Sequence, residues 1–157
     1  MRLLVAGGRH LDDVTPIRRA LERVHAMGPI TVIIHGGSGF LGIASEDWAR
    51  EQRLHVVRYP ANWREFGKRA ESIRNAFMLA DSRPDMILAL PGGNDTRDLV
   101  SRALAARLAV VDGEGKAVHG ATRPKATSTN TQPGDGASSI SPVAPGPKPN
   151  LRLIGIG

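Results

Sequence analysis

The stretch LALPGGNDTRDLV, residues 88–100, joins a short apolar run to a polar segment through Pro91, Gly92 and Gly93. A short, nearly continuous apolar run is typical of a strand that is buried on both faces of a sheet. Glycine tolerates unusual backbone angles and lets another group approach the main chain closely. The stretch therefore predicts a buried strand, a glycine turn and the first turns of a helix.

The same alternation of strand and helix patterns extends over the first 112 residues. The predicted strands are the apolar runs 3–6, 30–34, 54–59, 86–90 and 108–111. Repeated strand and helix units imply right-handed crossovers and a parallel sheet. We therefore expect an α/β, Rossmann-like domain over residues 1–113, with a parallel sheet of about five strands and helices on both faces.

The segments between the strands carry apolar residues at helical spacing, and these residues are the predicted buried faces. The first predicted face is Ile17, Ala20, Leu21 and Val24. The later ones are Trp48 with Ala49, then Ile73, Ala76, Phe77 and Ala80, and finally Leu99, Val100, Ala103 and Leu104.

Residues 114–157 have a different composition. Up to residue 150 they contain almost no large apolar side chain and are rich in Gly, Pro, Ser and Thr. Such a segment cannot bury enough surface to offset the entropy of ordering it. We predict a disordered C-terminal tail.

Composition and charge exclude several classes of protein. The chain has no cysteine, its histidines show no metal-binding spacing, and no run approaches the ~20 apolar residues of a membrane span. The N-terminus starts directly with a strand-like MRLLVAGG, without a charged and apolar leader. We expect a cytoplasmic protein with no metal, no cofactor and no membrane contact.

The formal net charge of +6 is a weak argument for nucleic-acid binding. Five basic and two acidic residues follow Gly113, so half of the excess lies in the predicted tail. The basic residues of the domain are not interleaved with aromatic ones. The distribution of charge therefore disfavours nucleic acid as a partner.

Three of the predicted strands end in paired glycines: AGGRH at 6–10, HGGSGFLG at 35–42 and PGGND at 91–95. In open parallel sheets, ligands bind beyond the carboxyl ends of the strands, and helix N-termini there favour anions. The loops match neither the dinucleotide nor the P-loop fingerprint. A phosphate-bearing ligand is the favoured interpretation, and tight-turn packing is the alternative.

Six motifs in order carry a resemblance to a known family: GGR at 7–9, HGG at 35–37 with WA at 48–49, YPANW at 59–63, GKxA at 67–70, RNxxM at 74–78 and PGGxxTxD at 91–98. The chain resembles the YspA/YpsA-related branch of the SLOG superfamily, which also contains Smf/DprA and the LOG phosphoribohydrolases. The resemblance covers residues 3–112. It implies a Rossmann-like domain that binds nucleotides or nucleotide-derived ligands, often in phage or bacterial settings, and frequently as a homodimer.

Placed on this sequence, the resemblance and the loop positions give a set of candidate ligand-binding residues. They are Gly7, Gly8, Arg9, His35, Gly36, Gly37, Ser38, Trp63, Arg74, Asn75, Pro91, Gly92, Gly93, Asn94 and Thr96. Trp63 is expected either to stack on a base or to join the core. Arg74 is expected to bind a phosphate or to stabilise a ribose, the alternative being an ion pair with Glu71 or Asp98.

Three positions depart from the relatives. The LOG enzymes carry a catalytic glutamate where this chain has Leu99, and the related families commonly have aspartate where it has Gly42 and glycine where it has Asp95. Leucine cannot act as an acid or a base. We expect Asp95 to cap the helix that follows, and Glu46 to lie on a solvated helix face.

These departures favour a non-catalytic, sensor-like domain that binds a nucleotide-derived small molecule. The first alternative is a LOG-like N-glycosidase acting on nucleoside monophosphates, with Arg74 and Asp98 as its catalytic candidates. The second is DprA-like binding of single-stranded nucleic acid. The question of enzymatic activity stays open at this stage, with the balance against it.

Overall fold

Five short strands form one parallel sheet in the computed structural model, which describes residues 1–37 and 39–120. The strands are β1 (Arg2–Ala6), β2 (Val32–His35), β3 (His55–Arg58), β4 (Met86–Ala89) and β5 (Ala109–Asp112). Their order in the sheet is β3-β2-β1-β4-β5, and all four pairings are parallel. The predicted Rossmann-like sheet is confirmed, and its order reverses between β1 and β4.

The connections between the strands are helical. The helices are α1 (Val14–Met27), α2 (Gly39–Glu51), α3 (Trp63–Phe66), α4 (Ala70–Ser82) and α5 (Asn94–Ala105), with a 3₁₀ turn at Gly67–Arg69. The Asp13 side chain caps α1 by accepting a hydrogen bond of 2.8 Å from the Thr15 N–H. None of the helices in the described residues is long and apolar enough to cross a membrane.

The sheet is covered on both faces, as the sequence predicted. Alternate strand residues point to opposite faces. Leu3 and Leu88 pack in one hydrophobic cluster with α1 and α2, whereas Leu4 and Ile87 pack in a second cluster with α4 and α5. Each large side chain buried in this way contributes roughly 1.5–3 kcal/mol.

Strand β3 is not buried on both faces, although its apolar run predicted a buried strand. It is an edge strand, and three of its four residues are exposed. Val56 retains 38% of its surface. The apolar run predicted the strand correctly, but not its place at the border of the sheet.

The predicted buried face of α4 is wrong. Phe77 is 60% exposed, and Ala76 and Ala80 are exposed as well. The buried residues are instead Ala70, Arg74, Asn75, Met78 and Ser82. The helix is rotated relative to the prediction because Arg74 and Asn75 make their hydrogen bonds on the inner side.

The chain turns back after β5. The Asp112 carboxylate accepts hydrogen bonds of 2.9 Å from the N–H groups of Glu114 and Lys116, and the Val118 N–H donates to the Val110 carbonyl. Residues 116–118 therefore lie along the outer edge of β5, so described structure continues past the predicted boundary at 113. The rest of the predicted tail, 121–157, lies outside the described residues.

The orientation of α4 can be tested with two substitutions. We expect Met78→Ala to lower the free energy of unfolding by about 2–5 kcal/mol, because Met78 is 1% exposed and its removal leaves a cavity. Phe77→Ala should change it by less than about 1 kcal/mol, as is usual for exposed sites. Urea denaturation of both variants measures the difference; a larger loss for Phe77→Ala would contradict the described packing.

Candidate functional site

The three glycine loops meet at the carboxyl edge of the sheet. The Gly8 N–H after β1 donates a hydrogen bond of 2.8 Å to the Pro91 carbonyl after β4. A Cβ atom on Gly8 would lie 2.8 Å from the Gly92 Cα. The first and third loops are thus in direct backbone contact at the point where the strand order reverses.

Several glycines are required by contacts within the chain. A Cβ atom on Gly36 would lie 1.9 Å from Arg74 Nη1, and one on Gly92 would lie 2.1 Å from Thr96 Oγ1. Gly37 has a φ of +72°, in the left-handed region that favours glycine. Packing within the chain therefore explains several of the paired glycines, for which the sequence favoured a bound ligand as the reason.

Gly93 is the exception in these pairs. A Cβ atom there would meet nothing within 4 Å, and its φ is −87°. Neither a close contact nor a positive φ therefore requires glycine at position 93. Gly93 precedes the first turn of α5, whose cap position has no side-chain hydrogen bond.

An open cleft of about 560 Å³ lies beside these loops. Its described lining comes from the segments after β1, β2 and β3 and from α4, and it includes no residue of the glycine loop after β4. The lining residues are Arg9, Gly36, Gly37, Gly39, Pro60, Ala61, Trp63, Glu71 and Arg74. This volume falls within the range of small-molecule sites. The cleft is large enough for a nucleotide-sized ligand.

Arg74 forms the inner wall of the cleft and is 7% exposed. Its Nη1 donates to the carbonyls of Gly36 at 2.8 Å and Tyr59 at 3.3 Å. Its Nη2 donates to Asp95 Oδ2 at 2.8 Å, and its Nε donates to Asn75 Oδ1 at 2.9 Å. A single guanidinium therefore joins the loops after β2 and β3 to α5.

Asp95 does not cap α5, contrary to the prediction. Its carboxylate turns toward α4, where Oδ2 accepts from Arg74 and Oδ1 accepts from the Asn75 amide at 2.8 Å. A buried guanidinium needs a countercharge, and that need outweighs capping. The partner of Arg74 is neither Glu71 nor Asp98, the two that the sequence suggested.

Asp98 lies one turn further along the boundary between α4 and α5. Its Oδ2 accepts hydrogen bonds from Asn75 at 3.0 Å and from Arg102 at 2.9 Å. Burial raises the pKa of Asp98, but the hydrogen bonds from Arg102 and Asn75 outweigh it and the net pKa is lowered. Asp98 is thus held between the helices and is not among the residues that line the cleft.

His35 supports the second glycine loop from inside the protein. It is 2% exposed, and its Nδ1 accepts a hydrogen bond of 3.1 Å from the Gly37 N–H. Burial lowers the pKa of His35, and the Glu46 carboxylate opposes this only in part. The imidazole is therefore neutral near pH 7, and its proton resides on Nε2.

Glu46 is not on a solvated face, contrary to the prediction. Its Oε1 lies 3.0 Å from His35 Nε2, outside hydrogen-bond geometry, and accepts from Arg58 Nε at 2.9 Å. The hydrogen bond from Arg58 lowers the pKa of Glu46. A Cβ atom on Gly42 would lie 3.0 Å from His35 Nδ1, so a larger residue would crowd the ring.

Trp63 lies at the mouth of the cleft and is 48% exposed. The Arg9 guanidinium carbon lies 5.5 Å from the centre of its ring, and the same guanidinium pairs with Glu71. Trp48 is the core residue of the two tryptophans, with 1% exposure. Arg9 thus lies over one face of the Trp63 indole, while about half of the residue's surface is open to solvent.

A cavity of about 20 Å³, room for one water molecule, lies behind the cleft. Its lining includes Gly7, His35, Thr96 and Leu99. Gly36 and Arg74 line both this cavity and the cleft. Four further candidate ligand-binding residues are exposed near the start of α5: Pro91, Gly92, Gly93 and Asn94. Ser38 lies outside the described residues.

The cleft also contains residues that the sequence analysis did not select: Gly39, Pro60, Ala61 and Glu71. Pro60 and Ala61 belong to the YPANW motif that flagged Trp63, so a signal for them was present. Glu71 had no signal of its own, because its role depends on where Arg9 lies. The described residues hold no group of three metal-ligating side chains.

Comparison with protein families identifies a match in the N-terminal part of the chain. Residues 1–66 match the model of the YspA, cpYpsA-related SLOG family. None of the curated proteins matches the chain. The matched region includes the first two glycine loops and Trp63, and it ends before α4.

Two glycine substitutions separate packing from ligand access. We expect Gly8→Ala to lower the free energy of unfolding by about 1–3 kcal/mol, because its Cβ would press on the Gly92 backbone. Gly93→Ala should cost less than about 1 kcal/mol, since its Cβ meets open space. Chemical denaturation of both variants measures this difference, and equal losses would contradict the loop geometry.

The protein should lose stability as the pH falls below about 6.5. The folded state lowers the pKa of His35 from 6.5, so the unfolded state binds the proton more readily and gains from acidification. Glu46, whose pKa is also lowered, adds a second loss at lower pH. Thermal denaturation between pH 8 and pH 5 measures the trend.

Two variants test whether His35 causes this pH trend. His35→Asn removes the imidazole but retains a hydrogen-bond acceptor at the δ position. His55→Asn, on the exposed edge strand β3, is the matched control. We expect His35→Asn to be less stable at pH 8 but to show a flatter decline between pH 7 and pH 5.5. His55→Asn should keep the wild-type slope. An unchanged slope in His35→Asn would show that other groups cause the decline.

Proposed function

We propose that the cleft binds a nucleotide or a nucleotide-derived small molecule, because residues 1–66 match the model of the YspA, cpYpsA-related SLOG family. The observation that carries this proposal is the 560 Å³ cleft at the carboxyl edge of the sheet, with a half-exposed indole at its mouth. Ligands of Rossmann-like sheets bind at this edge. An accessible aromatic ring offers a stacking surface that any base can use.

Two features favour binding without hydrolysis. Leu99, at the position of the glutamate in the LOG enzymes that the chain resembles, is 4% exposed and packs in the core cluster with Leu4 and Ala103. Asp98 is engaged by Arg102 and Asn75 and does not line the cleft. Neither residue is placed to exchange a proton with a ligand there, which general acid–base catalysis requires.

Cytoplasmic location and homodimer formation stay predictions. An apolar groove beside α4 includes Phe66 and Phe77.

The proposal is tested with the full-length protein and a panel of nucleosides, nucleoside monophosphates, ADP-ribose and NAD. A ligand present at 100 times its dissociation constant stabilises the folded state by about 2.7 kcal/mol, which a thermal shift detects. Each stabilising compound is then incubated with the protein and recovered by chromatography. Intact recovery supports a binding domain; released base would favour a glycosidase, and the absence of any stabilisation would overturn the proposal.

Replacement of Trp63 provides the sharpest test of the site. We expect Trp63→Ala to weaken binding by roughly 5- to 150-fold, since stacking of a base on an aromatic ring contributes about 1–3 kcal/mol. Trp63→Phe should retain most of the affinity. Phe77→Ala, which removes an exposed aromatic ring that does not line the cleft, is the matched control; isothermal titration calorimetry measures all three, and equal effects of the two alanine variants would exclude Trp63 from the site.

A further inference from the structure

The charges around the cleft are already paired within the chain. Arg9 and Arg74 are the two arginines that line the described part of the cleft, and they pair with Glu71 and Asp95 respectively. Glu71 lines the cleft with the two arginines, whereas Asp95 lines the small cavity that shares Arg74 with the cleft. The two ion pairs together carry no net charge. A phosphate entering the cleft therefore meets no surplus of positive charge.

Of these two ion pairs, the one between Arg74 and Asp95 bears more directly on which ligands the cleft can bind. The Arg74 side chain is 6% exposed, whereas the Asp95 side chain is 26% exposed. The carboxylate is thus the part of the pair that solvent reaches. Its Oδ2 accepts a hydrogen bond from Arg74 Nη2, the donor that an anion bound to this guanidinium would otherwise use.

The Asp95 carboxylate is held from two sides. Oδ2 accepts from Arg74 and Oδ1 accepts from the Asn75 amide, both at 2.8 Å. Displacing the carboxylate breaks both hydrogen bonds and brings two anions close together. A hydrogen bond to a charged group is stronger than a neutral one, so the displacement is costly.

We propose that Asp95 determines the specificity of the cleft, so that it selects nucleosides, with an uncharged sugar end, over the corresponding 5′-monophosphates. This inference rests on the proposed binding function and narrows its ligand class. Asp95 acts through Arg74, because it occupies the guanidinium that a phosphate would otherwise bind.

Asp95→Asn tests this role with little change in shape. Asparagine keeps an oxygen that accepts from Arg74 but removes the negative charge. Asp47→Asn is the matched control, because Asp47 lies on α2 with its side chain 53% exposed and paired with Arg50. Both variants raise the net charge of the protein by one, so a general electrostatic effect appears equally in both.

The experiment measures dissociation constants of the full-length protein for adenosine, guanosine, cytidine, uridine and their 5′-monophosphates, by calorimetry at fixed salt. For the wild type we expect each nucleoside that binds to bind more tightly than its monophosphate. In Asp95→Asn the monophosphate should gain about tenfold or more relative to the nucleoside, the size expected for a hydrogen bond to a charged group. Asp47→Asn should keep the wild-type ratio.

The outcomes separate the two proposals. Wild-type protein that prefers monophosphates, or an unchanged ratio in folded Asp95→Asn, overturns the role of Asp95 but leaves nucleotide binding intact. Protein that binds none of the eight compounds in any variant overturns both proposals for this ligand class. Circular dichroism and thermal denaturation establish folding, and if Asp95→Asn does not fold, the wild-type ratio alone decides.

Discussion

The buried guanidinium of Arg74 is the interaction on which the geometry of the cleft depends. It crosses from α4 to the carbonyls that end β2 and β3, and it reaches Asp95 on α5. Isolated charges are costly to bury, so the surrounding groups must converge on it. The close approach of Gly36, the inward side of α4 and the orientation of Asp95 all follow from this requirement.

Much of the fold could be predicted from the sequence, because strands buried in a parallel sheet have a simple pattern. The five apolar runs gave the five strands, and the face of α1 was correct down to Ile17, Ala20, Leu21 and Val24. The face of α4 was wrong because apolar residues were assumed to point inward. There the inner side carries Arg74 and Asn75, whose burial depends on partners more than 15 residues away along the chain.

The candidate site was less predictable than the fold. Paired glycines marked the right edge of the sheet, but the sequence could not show that Gly8 and Gly92 contact each other or that Gly36 accommodates Arg74. It also assigned Asp95 to helix capping, since a carboxylate early in a helix usually has that role. A buried arginine needs a neutralising acid, but which acid supplies the charge depends on tertiary positions that the sequence does not show.

The return of the chain after β5 has a consequence for assembly. Unpaired strand edges are the places where a sheet can recruit another strand. Residues 116–118 occupy part of the β5 edge through an antiparallel bridge between Val111 and Ala117 and the hydrogen bond from Val118. Within the described residues the β3 edge is thus the more open of the two, so a further strand would pair there more readily than along β5.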